Sequence, residues 1–596
     1  MNMDNENTIK GGEFIVKETL PEEIFIPEEF DEEARMIAQS CQDFLDTEVM
    51  PNLDRLDAHE EGLMPDTLKK AGELGLLGIS VPEEYEGFGQ NFTTSMLVAD
   101  TLGAGYAFSV AYSADTGIGT LPIMYYGNEE QKQKYLPNLA SGEYLGAYCL
   151  TEPGAGSDAN SGKTKAVLNE AGTHYILNGS KMWITNGGFA DILTVFAKID
   201  EDRILSAFIV ERNFPGITFN TEENKMGIKG SSTVQIFFND CKVPVENLLG
   251  TRGEGFRIAL NILNLGRIKL GANVIGASKL AINQSVQYAN ERKQFRTLIS
   301  NFPAVKYKLA QQVIKAFANE TAVYRMSKNV DDAVNRNIAN GMDKGSANVE
   351  AQREFVIEAA LIKVFGSEML DYVVDEGVQI HGGMGYSAET PIERGYRDSR
   401  INRIFEGTNE INRNVTGDTL IKKGLKGEIP LFEEAAKIAE NLNKFPENPQ
   451  FKGVYFEDIN ITVKNFKAVF LLLVDAAHNN FGKKLSREQE IIFNFSDIIM
   501  ESYVAESVYL RVKRLQEIKG EEAGKIYKDM LNVYLFDSSN IIYKQGLEAI
   551  YSFIDEAEQE KYINALRCLT KIKPVNIKEA RRRIADKLIE DNKYQF

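Results

Sequence analysis

The segment Arg403-Ile-Phe-Glu-Gly-Thr-Asn-Glu-Ile-Asn-Arg413 sets a carboxylate, Glu406, between an aromatic and a glycine. Apolar surroundings make an ionised glutamate costly and raise its proton affinity. That suits a general base taking a weakly acidic proton near neutral pH. Gly407 leaves no Cβ to bar a ligand from the backbone. A carboxylate before a glycine also fits a helix end, so other segments must decide. Tyr148-Cys-Leu-Thr-Glu-Pro-Gly-Ala-Gly-Ser-Asp158 forces a tight loop through Pro153, Gly154 and Gly156. Such loops aim several N–H groups in one direction and cradle anions or a ring edge, and Thr151, Ser157 and Asp158 add polar side chains. An ordinary connection is the other reading. Lys181-Met-Trp-Ile-Thr-Asn186 carries the sole tryptophan, Trp183, before Gly187-Gly188. Beside the Thr185 hydroxyl it is either core filling or a platform for a flat ring system.

These segments need several elements to position them. A chain of 596 residues is too long for one core. Residues 1–29 read as a polar tail, and 30–149 as a helical domain with Asp31 as N-cap and Ile37, Cys41, Phe44 and Leu45 on one face. Residues 150–250 hold short β-branched and aromatic runs with glycine and asparagine turns, which predict an antiparallel sheet or small barrel. Helical patterns return over 251–423, and after Gly424 and the break at Pro446-Glu-Asn-Pro449 they continue through 424–596.

A net charge of −19 argues against a nucleic-acid groove. Four scattered cysteines, Cys41, Cys149, Cys241 and Cys568, make neither a disulfide frame nor a metal site. They suggest a reducing, cytoplasmic setting. Met1 to Lys10 is polar and does not read as a signal peptide. The longest apolar run, Ala468 to Val474, falls far short of the roughly 20 residues that cross a bilayer, so integral membrane association is not expected. Arg581-Arg-Arg583, interspersed with acids, reads as a solvated face.

Taken together, the two loops and Glu406 resemble the acyl-CoA dehydrogenases. The likeness runs from Phe30 to Lys423 and includes Met226-Gly-Ile-Lys-Gly-Ser-Ser-Thr233, Asn264-Leu-Gly-Arg267, Arg292-Lys-Gln-Phe295, Gln379-Ile-His-Gly-Gly383 and Glu406-Gly-Thr408. The helical extension after Gly424 resembles the very-long-chain branch. The implied fold is mainly α: a helical N-domain, a small antiparallel β-barrel and a four-helix bundle, followed by the extra helical domain.

The resemblance implies FAD held by Tyr148, Leu150, Thr151, Gly156 and Ser157, by Trp183, Ile184 and Thr185, and by Thr408, Asn409 and Glu410. Arg292 and Phe295 would serve the FAD phosphates, a role suited to guanidinium. Gln379, Gly382 and Gly383 would reach the FAD of a neighbouring subunit, which implies an obligate oligomer; the C-terminal helices would replace one face of the family's usual tetramer and leave a homodimer, with a tetramer as the alternative. Ser157, Asn264, Arg267 and Gly407 would line the CoA and acyl site, and Glu406 would be the base. The implied reaction turns a fatty acyl-CoA of β-oxidation into a trans-2-enoyl-CoA, FAD taking the β-hydride and electron-transferring flavoprotein the electrons. An acyl-CoA oxidase and a DNA-binding alkylation-response relative are the rival readings, the latter disfavoured by the acidic charge.

Four positions depart from the family pattern. Asn264 replaces a common acid, Arg296 a common glycine, Pro303 a common glutamine and Phe405 a common tyrosine. The alternative base position of one branch is Gly266 here. Small residues at Ser113, Ala114, Gly117 and Gly119 suit either a deep acyl slot or close helix packing.

Overall fold

The computed structural model describes residues 9–596. Asp31 caps α1 (Glu32–Phe44), its Oδ1 accepting the Ala34 N–H at 2.8 Å. α2 (Phe92–Leu102) follows, and α3 (Ala107–Ser113) runs straight into a π turn, Ala114–Gly119. Such turns concentrate at functional sites.

The middle region is a sheet of β1 (Gly146–Cys149), β2 (Lys165–Leu168), β3 (His174–Thr185), β4 (Ile192–Ile199), β5 (Ser206–Glu211), β6 (Ile217–Phe219), β7 (Thr233–Pro244) and β8 (Leu248–Leu249). Its order is β6-β7-β3-β2-β4-β5-β8, with β1 beside β4. Most pairs are antiparallel, but β1 and β2 both run parallel to β4. β4 and β5 are buried along almost their whole length. A strand covered on both faces is a continuous apolar run whose polarity the residue pattern does not disclose.

The helical bundle comprises α4 (Gly255–Glu291), the hairpin β9 (Lys293–Gln294) and β10 (Thr297–Leu298), α5 (Pro303–Ala339), α6 (Val356–His381) and α7 (Asn409–Leu425). α8 (Tyr455–Phe481), α9 (Gln489–Phe553, kinked at Gly520) and α10 (Ile577–Asp591) follow. These last helices share the bundle's core. One apolar cluster joins Ile275 and Ile282 of α4 to Phe317 of α5, Phe470 of α8, Phe495 of α9 and Leu588 of α10.

The segment expected to be a polar tail departs from that reading from Gly11 onward. Phe14, Ile15, Ile24 and Ile26 are buried in the same cluster. Buried cations fasten the segment: Arg325 bonds both Glu506 (2.8 Å) and Thr19 (2.9 Å), and Arg511 bonds both Glu320 (2.7 Å) and Glu28 (2.8 Å). Charge spacing along the sequence hid this, because Glu28 and Glu29 pair with Arg511 and Arg514, hundreds of residues away. Residues 1–8 of the expected tail lie outside the described residues. Arg581, Arg582 and Arg583 each pair with an acid: Asp537, Glu579 and Asp529. Among the described residues no helix is long and apolar enough to cross a membrane.

Glycines set the distance between α2 and α4. An added Cβ at Gly276 would lie 1.9 Å from the Asp100 carbonyl oxygen, and one at Gly103 2.0 Å from that of Asn273. We predict that Gly276→Val costs about 1–3 kcal/mol through overpacking, measured by urea unfolding. Gly154→Ala, with nothing within 4 Å of its Cβ, should leave the unfolding midpoint unchanged.

Candidate active site

Glu406 lies between a 3-10 turn, Arg400–Arg403, and α7, whose N-cap Thr408 accepts the Ile411 N–H at 3.3 Å. Glu406 and Gly407 are both left-handed, with φ of 58° and 80°. For a glutamate this costs on the order of 1–3 kcal/mol, and neighbours hold it there. Arg267 Nε donates to the Glu406 carbonyl at 3.2 Å, and Asn412 Nδ2 to the carbonyls of Gly407 (2.8 Å) and Thr408 (3.1 Å). A helix-end reading describes this backbone but not the side chain. Glu406 Oε2 is buried with no hydrogen-bond partner among the described residues, directed at α4 where Gly266 leaves a gap. A Cβ at Gly266 would sit 2.5 Å from that oxygen. Burial pushes the Glu406 carboxyl up to about 7 against the opposing pull of Arg267 and Lys363. Arg267 is itself buried, its Nη1 donating to Asn264 Oδ1 at 2.8 Å.

Glu406, Phe405, Gly266 and Thr185 line one cavity, which continues along α4 past Lys269, Asn273, Ala277 and Leu280 to Gln284. From Gly266 to Gln284 is eighteen residues, or about 27 Å of helix at ~1.5 Å per residue. Ser113 at the end of α3 and Ala114 and Gly117 of the π turn form part of the facing wall. Gly119 does not; a Cβ there would meet the Gly146 carbonyl carbon at 2.8 Å. The small residues therefore divide between the two uses open in the sequence. Tyr106 and Gln284 meet at the far end, Gln284 Nε2 donating to the tyrosine oxygen at 3.0 Å.

The two sequence loops come together where Met182 N–H donates to the Thr151 carbonyl at 2.9 Å. Beneath them Lys181 is fully buried and bonds Glu152 at 2.7 Å and the Leu150 carbonyl at 3.2 Å. Glu152 also takes the N–H groups of Lys163 (2.6 Å) and Thr164 (3.1 Å). So anchored, the loop leaves Gly156 and Ser157 exposed, while Tyr148 and Leu150 are buried under it. Trp183 sits at an irregularity of β3 with φ of 61° and is 53% exposed, while Ile184 beside it is buried. A large aromatic held in a strained backbone and left uncovered, next to open loop backbone, fits the flat ring of FAD.

Arg292, Phe295, Gln379, Gly382 and Gly383 gather elsewhere. All are exposed, around the end of α4 where Tyr288 stacks on His381 at 4.3 Å. Arg292 is twenty-six residues beyond Gly266, about 39 Å along the helix. Phe295 and Arg296 form the hairpin turn with φ of 51° and 67°, so Arg296 carries the left-handed backbone that glycine takes more easily. Pro303 opens α5 at its first turn, where a missing N–H costs nothing. Glu410 is exposed, but Asn409, expected at the cofactor, is turned inward and 3% exposed. It accepts from Lys363 Nζ at 2.7 Å.

Two buried cations escaped the sequence reading. Lys363 is fully buried on α6 and pushed down to about 7 by that burial. Lys269 lines the cavity, donates to the Thr116 carbonyl at 3.3 Å and is pushed down to about 8. The available signal was a single lysine inside an apolar run, Leu361-Ile-Lys-Val-Phe365 and Ile268-Lys-Leu270.

Family models match this architecture in order: the acyl-CoA dehydrogenase N-terminal domain over 31–143, the middle domain over 147–241 and the C-terminal domain over 253–421. A further acyl-CoA dehydrogenase C-terminal domain matches 465–568. A probable acyl-CoA dehydrogenase of Bacillus subtilis is 45% identical over 586 residues, 98% of each chain. The human mitochondrial very long-chain specific acyl-CoA dehydrogenase is 40% identical over 520 residues, 83% of this chain and 76% of that one. The crystal structure of an acyl-CoA dehydrogenase complexed with FAD from Bacillus anthracis superposes with a TM-score of 0.95 at 44% identity, covering 99% of this chain and 100% of that one. Sequence, fold and the arrangement around Glu406 agree: the chain belongs to the acyl-CoA dehydrogenase family, FAD-dependent oxidoreductases.

Proposed function

We propose that the protein converts long-chain fatty acyl-CoA to trans-2-enoyl-CoA, with Glu406 as the base that removes the α-proton. The observation that supports this best is the single cavity shared by the Glu406 carboxylate, Thr185 and the apolar slot along α4. A thioester seated with its carbonyl near Glu406 and its chain along α4 brings the α-carbon to the buried oxygen Oε2. Because that oxygen has no hydrogen-bond partner, nothing has to be broken before it accepts the proton. Glu406 releases the proton after turnover, as a carboxyl poised near neutrality can. FAD, when bound, accepts the β-hydrogen as hydride. Trp183 and Thr185 would hold its ring, and the loop carrying Gly156 and Ser157 would supply backbone donors.

Slot length supports the choice of substrate. The hydrocarbon core of a bilayer, two fatty chains end to end, is about 30 Å thick. A slot whose wall runs about 27 Å holds one long chain with room beyond it. Asn264 and Arg267 stand at the same end as Glu406, suited to the polar head of the substrate.

A second copy of the chain would bring Arg292, Phe295, Gln379, Gly382 and Gly383 to the cofactor, and we propose a homodimer on that ground. Electron-transferring flavoprotein is the proposed acceptor. The four cysteines, all free and buried, support a reducing, cytoplasmic compartment.

Anaerobic mixing of the holoenzyme with acyl-CoA tests the base. Glu406→Gln should stay folded and yellow but bleach roughly 10²–10⁴-fold more slowly; bleaching at the parent rate would overturn the assignment. Since a base must be ionised, the parent rate should rise with pH through about 7. Gly266→Ala, which drives a methyl against the carboxylate, should cut the rate by about 10²-fold with little change in melting temperature. Ala277 lies eleven residues from Gly266, about 16 Å down the slot. Ala277→Phe should therefore lower kcat/KM for long chains at least tenfold relative to short ones, and an unchanged ratio would remove the slot assignment. Reoxidation of bleached enzyme faster by air than by the flavoprotein would mark an oxidase instead.

A further inference from the structure

Lys363 is a fully buried lysine whose one hydrogen bond among the described residues is to the neutral Asn409 side chain, at 2.7 Å. A buried ammonium is held only by a compensating charge, and the principal anion facing it is Glu406. Asn409 opens α7, three residues after that base. The rest of Asn409 is engaged as well: its Nδ2 donates to Ser367 Oγ at 3.1 Å and to Glu368 Oε1 at 3.0 Å. Glu368 is clamped by both terminal nitrogens of Arg413, at 2.8 and 3.0 Å. Arg413 turns its third nitrogen to Asp497 of α9, Nε donating to Oδ1 at 2.7 Å. Ser496 Oγ donates to the Arg413 carbonyl at 2.6 Å. The two helices touch because Gly417 has no Cβ; one would lie 2.9 Å from both Ile492 Cγ2 and Ser496 Oγ.

We propose that Lys363 is a positioning residue for Glu406, and that the C-terminal region holds it there through Asp497, Arg413, Glu368 and Asn409. The inference rests on Glu406 being the base. It gives residues beyond 424, on α9, a part in the reaction.

The charged and titratable groups facing Glu406 are Arg267 from α4, Lys363 from α6 and Tyr148 from β1. Those facing Lys363 are Glu406, Arg267, Glu368 and Glu410. Arg267 is committed to Asn264 and to the Glu406 carbonyl, so it fixes backbone. Arg267 counters the desolvation of the carboxylate first, and Lys363 of α6 is the second cation that does so. Without Lys363, Glu406 would keep its proton to higher pH. Asp497 shares Arg413 with Glu368. Without Asp497 the guanidinium turns its full charge on Glu368 and draws that acid away from Asn409, which frees the acceptor of Lys363.

The test is the pH dependence of anaerobic bleaching by one long-chain acyl-CoA, run on holoenzyme with flavin content and melting temperature recorded. Lys363→Met should move the acidic limb upward by about one pH unit. Asp497→Asn should move it the same way by less, and Asp497→Glu should bring it back. In the Lys363→Met background, Asp497→Asn should add nothing, because one path carries both effects. An unmoved limb in either variant, or additive shifts in the pair, overturns the proposal. If Lys363→Met fails to fold, Asp497→Asn and Asp497→Glu decide it alone, since a merely structural Asp497 would lower the melting temperature without moving the limb. Glu406→Gln is run beside them: if it bleaches normally, the base assignment falls, whatever the limb does.

Discussion

Glu406 has to place a carboxylate inside an apolar cavity and keep it there, and the gap at Gly266 is where that becomes possible. The side chain needs the space a Cβ on α4 would occupy, since that atom would come within 2.5 Å of Oε2. Its backbone must turn left-handed to aim at the gap, and this in turn requires Arg267 and Asn412 to hold the carbonyls of the turn. The buried oxygen is left without a partner, and an unpaired buried acceptor is costly. That cost is what raises its proton affinity, so the same arrangement that destabilises the turn makes a base of it.

A strained turn survives only if the surrounding structure over-determines it. Here the support is unusually long-range. α4 is fixed against α2 at Gly276 and Gly103, α7 against α9 at Gly417, and the N-terminal segment straps the bundle through Arg325 and Arg511. Buried ion pairs add little net stability compared with apolar residues of the same shape, but losing one partner is expensive. Networks of this kind therefore penalise misplacement of a helix more than they reward its formation.

Patterns that depend on near neighbours were legible in the sequence. Asp31 announces α1, the short β-branched runs announce the sheet, and Glu406 with its glycine announces a carboxylate at an opening. What was hidden depends on distant partners. Lys363 and Lys269 look like ordinary helix lysines until α7 and the π turn are laid over them. Glu13 to Glu29 looks like a solvated acidic tail until Arg325, Arg511 and Arg514 are brought to it. Ser113, Ala114, Gly117 and Gly119 are alike in size, and only the π turn separates the three that face the cavity from Gly119, which packs on Gly146. Strand polarity in β1 and β2 was unreadable for a related reason: alternation reports which face is covered, not which way the neighbour runs.

α4 runs for 37 residues, and its length bears on assembly. One end holds Gly266, Asn264 and Arg267 beside the base; the other leads into the hairpin with Arg292 and the 90% exposed Phe295. A rigid helix cannot bend both ends to one cofactor, and its tip carries an exposed arginine and a phenylalanine whose edge contact with Phe302 still leaves it exposed. Exposed aromatic and arginine side chains are those enriched where proteins meet. A second copy, set so that its hairpin reaches this chain's Trp183 loop, would cover Phe295 and complete both sites by the same contact. Symmetry then requires the exchange to be mutual, so each α4 would serve its own base at one end and its partner's cofactor at the other.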